Sequence, residues 1–405
     1  MPSVCFYFQV HQPYRLKAYS YFKAGHDHHY FDEDKNGAIL RKVADKCYLP
    51  TNKKILELID RHEGRFKVSY AITGTALEQM ERYCPEALES FVTLSKTGCV
   101  EFISETYYHS LSAVYSQSEF VRQIAQHKEL MIKLFNYTPT VFRNTELIYD
   151  NGIGAAVAAL GYEGMIAEGV DDVMAWRSPN YLYTVPGTSM KLLLKNYRLS
   201  DDIAFRFSNR GWECYPLTAP TFASWVHKVS GNGDTVNLFM DYETFGEHQW
   251  ASTGIFEFLD YLPTAIMAHP DWGFKTPQEV IASYPTRAEL SFHRLTSWAD
   301  VDRDLTAWRG NRMQESALSQ AFALESAVQW TNDPETRDIW GKLLTSDHFY
   351  YMCTKWFADG DVHAYFSPYS SPYEAFINYA NVLRDFKEHY LGVNPEGDRA
   401  NPNGR

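Results

Sequence analysis

The sequence carries no surplus of basic charge. Its 38 Lys and Arg face 50 Asp and Glu, a net charge of −12. Nucleic-acid binding needs a cationic surface to meet phosphates, so no nucleic-acid partner is expected. No apolar run approaches the length of a membrane span, and no membrane partner is expected. The opening MPSVCFYFQVHQPYRL has neither a basic leader region nor a small-residue cleavage site. That predicts no signal peptide and a cytoplasmic location. The six cysteines (Cys5, Cys47, Cys84, Cys99, Cys214, Cys353) are scattered and form no CxxC pair. Free thiols are expected, not a disulfide framework. No internal repeat or low-complexity tract is present, and nothing indicates an oligomeric state.

Two short stretches imitate cation sites. DEDKNGAI at 32–39 supplies Asp32, Asp34, Asn36 and Gly37 at the spacing of a calcium loop. Val43 stands where the loop's closing Glu belongs, so a solvated turn before a helix is expected. HDHH at 26–29 is expected to sit in water. The sequence requires neither metal nor cofactor.

Aromatic residues, in contrast, reach 16% of the 405 positions, with 28 Tyr, 25 Phe and 10 Trp. They suit a heavily packed core, and equally a ligand with flat apolar faces such as a sugar. Seven apolar runs read as buried strands: 4–10, 65–72, 99–104, 140–144, 164–169, 190–196 and 236–241. Helical segments such as 51–62 and 152–162 lie between them. Strands alternating with helices predict βα units on a parallel sheet, closed or nearly closed into a barrel over 1–295. Helical periodicity then dominates 296–392, predicting a bundle with Gly392 as a helix stop. A polar tail, 393–405, follows.

Polar residues cluster where these strands end. His11 and Gln12 follow the first, Glu78 the second, Glu105 and His109 the third, and Glu146 the fourth. Asp241 and Glu243 close the last, in FMDYETFGEHQW. In a parallel barrel such ends share one face, where catalytic residues gather. Two carboxylates from different strands among aromatic residues suit glycoside hydrolysis. Glu146 and Asp241 are candidates, unranked by pattern against Glu78, Glu105 and Glu243.

Five of these stretches go further. HQP at 11–13, GTALE at 74–78, FRNTELIYD at 142–150, FMDYETFGEHQW at 239–250 and DLTAWRGN at 304–311 together resemble the motifs of glycoside hydrolase family 57. The resemblance is to its α-amylase branch and runs along nearly the whole chain. It implies an incomplete (β/α)7 barrel followed by a helical bundle. It also implies α-glucan or maltooligosaccharide substrates, cleaved with retention of configuration. Glu146 then matches the nucleophile and Asp241 the general acid/base. His11 and Gln12 would bind sugar hydroxyls. Glu78, Glu105, His109 and Glu243 would support the site, with Asp304 and Trp308 reaching it from the fifth motif.

Departures from the family pattern are Gln9 where a second His is common and Tyr242 where Gly is common. Asp304 also lies four residues before Trp308 instead of three. They leave open how Tyr242, His248 and Trp250 act, and whether Tyr242 narrows the cleft. Asp347, His348, Asp359 and Asp361 are read as capping and turn residues of the bundle. The competing readings are a 4-α-glucanotransferase or branching enzyme, a metal-dependent polysaccharide deacetylase, and a non-catalytic carbohydrate-binding protein.

Overall fold

The computed structural model describes residues 1–355 and 367–392. Asp359, Asp361 and the 393–405 tail lie outside the described residues. The chain divides into two compact units. The first comprises Met1–Gln12, Gly37–Tyr107 and Gln123–Asp304. The second comprises Pro13–Asn36, Tyr108–Arg122 and the described residues from Leu305 onward.

The first unit is α/β. Its strands are β1 (Ser3–Val10), β2 (Val68–Ile72), β3 (Val100–Phe102), β4 (Val141–Arg143), β5 (Gly164–Glu168), β6 (Leu182–Thr184), β7 (Lys191–Lys195), β8 (Thr235–Asp241), β9 (Gly273–Phe274) and β10 (Thr286–Glu289). All seven expected strands are present, and β6, β9 and β10 are additional. One sheet runs β3-β2-β1-β8, with β9 also paired to β1, and every pairing is parallel. The other runs β10-β6-β7-β5-β4, parallel except between β6 and β7. Past the end of β3, Ser104 bridges to Phe142 of β4. Past the end of β7, the Asn196 N–H donates to the Asn237 carbonyl of β8 at 2.9 Å.

Period-2 alternation explains why these strands are buried on both faces. In β1, Val4, Phe6, Phe8 and Val10 join the larger apolar cluster, packed with helix residues such as Ile55, Leu58 and Ala76. Cys5 and Tyr7 point the other way, into a second cluster. That cluster takes at least one side chain from, or directly after, each of seven strands: Tyr7, Ala71, Ile103, Val141, Ile166, Leu193 and Phe239.

In the second unit, the helices Arg312–Phe322, Glu325–Thr331, Pro334–Leu343 and Pro372–Tyr390 carry the expected helical periodicity. Gly392, with φ 64°, follows the last of them. The 13–36 segment is tied to helix Pro372–Tyr390. Asn378 accepts the Tyr19 N–H at 2.5 Å, and buried Asp385 accepts from the Gly25 N–H at 2.6 Å and the Tyr30 hydroxyl at 2.7 Å.

Both cation-like stretches differ from their expected states. Helix Glu33–Val43 covers the calcium-loop-like residues, and Asp32 accepts the Lys35 N–H at its start. Within HDHH, His28 pairs with Asp385 at 2.8 Å and stacks on His389 at 3.4 Å, so it is engaged instead of solvated.

Candidate active site

The strand pattern that builds the second cluster also builds the site. On five strands, a residue of that cluster is followed two positions later by a polar one. The pairs are Tyr7 and Gln9, Val141 and Arg143, Ile166 and Glu168, Leu193 and Lys195, and Phe239 and Asp241. Residues two apart share a face, so the strands lay a polar layer over an apolar floor. Register ties the layer together, because Gln9 lies directly opposite Asp241.

Contacts within the layer are dense. Gln9 donates to both oxygens of Glu105, at 3.1 and 3.3 Å. Arg143 faces Glu105 at 3.6 Å, and neither side chain is exposed. Burying that pair costs desolvation free energy, which only close pairing and hydrogen bonds offset. A second network lies at the ends of β5 and β7. Glu168 meets Arg303 at 2.9 Å and Lys195 at 3.5 Å, while Lys195 meets Asp201 at 3.2 Å.

Glu146 sits on the turn after β4 and is half-buried. It holds φ 56° and Leu147 holds φ 52°, a conformation that side chains other than glycine adopt at a cost. Surrounding bonds fix it. The Leu147 and Ile148 N–H groups donate to Asn144 and Thr145, and the Trp298 N–H donates to the Glu146 carbonyl at 3.1 Å. The Trp298 indole N–H also donates to Glu146 Oε2 at 2.7 Å.

Asp241 is half-buried at the end of β8. Its position meets that of Glu146 electrostatically at Tyr7. Burial pushes the Tyr7 hydroxyl far up, Arg143 opposes this, and Glu105, Asp241 and Glu146 add to it. The Tyr7 hydroxyl itself donates to Gln9 Oε1 at 2.5 Å. Glu243, two residues past Asp241, is pushed up to about 8, by burial first and the Asp241 charge second. Tyr48 donates to it, and Gln12, which reaches the Tyr48 hydroxyl at 3.5 Å, bonds it as well.

The remaining expected residues have other settings. His11 meets the Thr73 hydroxyl at 3.0 Å, and Glu78 accepts from the Tyr107 hydroxyl at 2.7 Å. The Asp304 backbone carbonyl accepts from Ser297 at 2.6 Å. His109 and Trp308 belong to the second unit and are buried there, each 1% exposed. Tyr242 is fully buried on the helix side of β8. Its ring packs against Phe8, Tyr48, Tyr70 and Phe91, and its hydroxyl donates to Asn52. It therefore supports Asp241 from behind and does not narrow the cleft. Burial holds His248 down to about 4, and Trp250 is exposed with Lys46 over its ring at 5.8 Å.

Sequence reasoning missed Arg143, Glu168, Lys195, Trp298 and Arg303. The first three follow a signal that was available, since each comes two positions after a cluster residue on its strand. Trp298 and Arg303 lie on an irregular segment, 297–304, for which no periodicity exists. Among the described residues, no group of three or more His, Cys, Asp or Glu is placed to hold a metal ion, and no helix is long and apolar enough to cross a membrane.

The sequence model of glycosyl hydrolase family 57 matches residues 5–293, which include most of β1, all of β8 and both carboxylate turns. The chain belongs to glycosyl hydrolase family 57. A Methanocaldococcus jannaschii protein named "Putative alpha-amylase" is 42% identical over 401 residues, covering 96% of this chain and 84% of that protein.

Solved structures are similar in fold at low identity. The 4-alpha-glucanotransferase of Thermococcus litoralis aligns with TM-score 0.69 at 15% identity, over 98% of this chain. This chain spans only 60% of that enzyme's length. The branching enzyme of Pyrococcus horikoshii aligns at 0.66 and 15%, over 97% of this chain and 92% of its own. The alpha-amylase AmyC of Thermotoga maritima aligns at 0.62 and 13%, over 97% and 94%.

Proposed function

We propose that this glycoside hydrolase cleaves α-1,4-glucosidic bonds of α-glucans or maltooligosaccharides with retention of configuration. The observation that carries the reading is the chain of contacts that joins Asp241 to Glu146 across different strands. Gln9 lies opposite Asp241 and donates to Glu105, Glu105 pairs with Arg143, and Arg143 lies over the Trp298 ring whose N–H meets Glu146. In the first step an oxygen of Glu146 bonds to the anomeric carbon. The bond from that carbon to the leaving oxygen breaks, and Asp241 gives that oxygen its proton. In the second step Asp241 takes a proton from water, the water oxygen bonds to the anomeric carbon, and Glu146 leaves as a carboxylate. Gln12 and His11 bind sugar hydroxyls. Glu105 acts through Gln9 and Arg143, and Glu243 through Asp241. Glu78 and Asp304 extend the substrate surface, whereas His109 and Trp308, each 1% exposed, are packing residues of the second unit.

The architecture belongs to the same proposal. Seven strands in the order β1-β2-β3-β4-β5-β7-β8 form an incomplete (β/α)7 barrel, followed by a helical bundle over 296–392. The Ser104 bridge to β4 and the Asn196 bond to β8 support closure at the two seams between the sheets. So does an apolar cluster drawn from all seven strands.

Incubation with maltoheptaose tests the reaction. Shorter sugars alone are expected, whereas longer sugars beside shorter ones would make the enzyme a glucanotransferase or branching enzyme. Glu146→Gln and Asp241→Asn should each lower turnover by at least about a hundredfold. Turnover kept by either variant would remove that residue from the mechanism.

A further inference from the structure

The indole of Trp298 has unusual surroundings for a tryptophan beside a carboxylate. Its N–H meets Glu146 Oε2 at 2.7 Å, and its backbone N–H holds the carbonyl of the same residue at 3.1 Å. One residue thus grips Glu146 at both its side chain and its backbone. The Arg143 guanidinium lies 5.1 Å from the Trp298 ring centre and the Lys195 ammonium 5.2 Å. Neither cation is free to swing away. Arg143 is held by Glu105, and Lys195 by Glu168 and Asp201.

A cation over an aromatic face is attracted by the ring's electron density and draws on it. The ring N–H becomes more acidic and a stronger donor, as members of a hydrogen-bonded chain polarise one another. A donor to a carboxylate makes the stronger, charge-assisted kind of bond. The terminal torsion of Glu is soft, so one fixed oxygen also fixes the plane in which the other approaches a substrate.

We propose that Trp298 is the positioning residue of the nucleophile, orienting the Glu146 carboxylate through an indole N–H that Arg143 and Lys195 polarise. The inference rests on the reading of Glu146 as nucleophile. In the second chemical step Glu146 departs as a carboxylate, and the indole stabilises the charge it regains. The charged groups about this pair are Arg143 and Lys195 over the Trp298 ring, Glu105 paired to Arg143, and Glu168 and Asp201 paired to Lys195.

Trp298→Phe keeps the ring and removes the donor. The acid limb of kcat/KM should rise by about one pH unit or more, the loss expected for one hydrogen bond to a charged group. On maltoheptaose, kcat should fall at least tenfold while KM stays level or drops, because the glycosyl-enzyme then accumulates. An acid limb that stays in place, or a fall in kcat that only follows the folded fraction, would overturn the proposal.

A second measurement does not depend on the folding of that variant. The 15N-labelled protein has 10 tryptophan indole signals. One of them should titrate with the acid limb in the wild type and move in Glu146→Gln. Ten unmoved signals would overturn the proposal. If Glu146→Gln keeps its turnover, the proposal falls together with the nucleophile reading. If it loses turnover while Trp298→Phe leaves the limb unmoved, the proposal falls alone.

Discussion

A carboxyl group buried beside a second carboxylate cannot keep its ordinary affinity for protons, and Glu243 is such a group. It is 7% exposed, neighbours Asp241, and is pushed up to about 8. Unfolding returns it to the ordinary carboxylate range near about 4.3. The folded state therefore binds more protons between these values, and stability falls as pH rises from about 4.5 to about 8. Buried Glu101, pushed up to about 7 by burial above all, adds the same sign over a narrower range. Thermal melts of Glu243→Gln between pH 5 and 9 should show a smaller loss than wild type on the alkaline side. Equal losses in the two proteins would mean that Glu243 stays charged in the fold. The motif made Glu243 visible in the sequence, but its titration was not legible. Tyr48, which donates to it, lies 195 positions away along the chain.

Elements were more legible than residues. The seven apolar runs became strands because each is buried on both faces, which leaves a nearly unbroken apolar signature. The additional strands lacked that signature. β6 ends in a half-buried residue, β9 has only two residues, and three of the four residues of β10 are exposed. Alternation along β8 also answers the question about Tyr242. Asp241 faces the polar layer, so its neighbour turns into the helix-side core.

The turn after β8 depends on a glycine that the fourth motif contains. Gly246 has φ 113°, and an added Cβ would lie 1.9 Å from the Lys46 carbonyl oxygen. Gly246→Ala should destabilise the protein by more than about 1 kcal/mol and displace the loop that carries Glu243. A melting temperature equal to wild type would show that the turn adapts without cost.

At the scale of the whole molecule, the sequence pointed to an α/β unit followed by helices, and much of that order is present. The grouping of 13–36 and 108–122 with the C-terminal helices was not legible. No composition shift marks those segments, and their anchors, Asn378 and Asp385, lie more than three hundred residues from Tyr19 and Gly25. The candidate site has the same character. Its carboxylates stand out in motifs and its strand cations follow the period-2 pattern, whereas Trp298 and Arg303 come from an irregular segment with no local signal.

The central claim is that Glu146 forms a covalent bond to sugar and Asp241 manages the proton. It is tested most directly in Asp241→Asn with α-maltosyl fluoride. Fluoride leaves without an acid, so the first step proceeds, while the second lacks its base. Mass spectrometry of the quenched protein should find one maltosyl group, on the peptide containing Glu146. A maltosyl group on another carboxylate, or none while fluoride is released with inversion, would contradict the account.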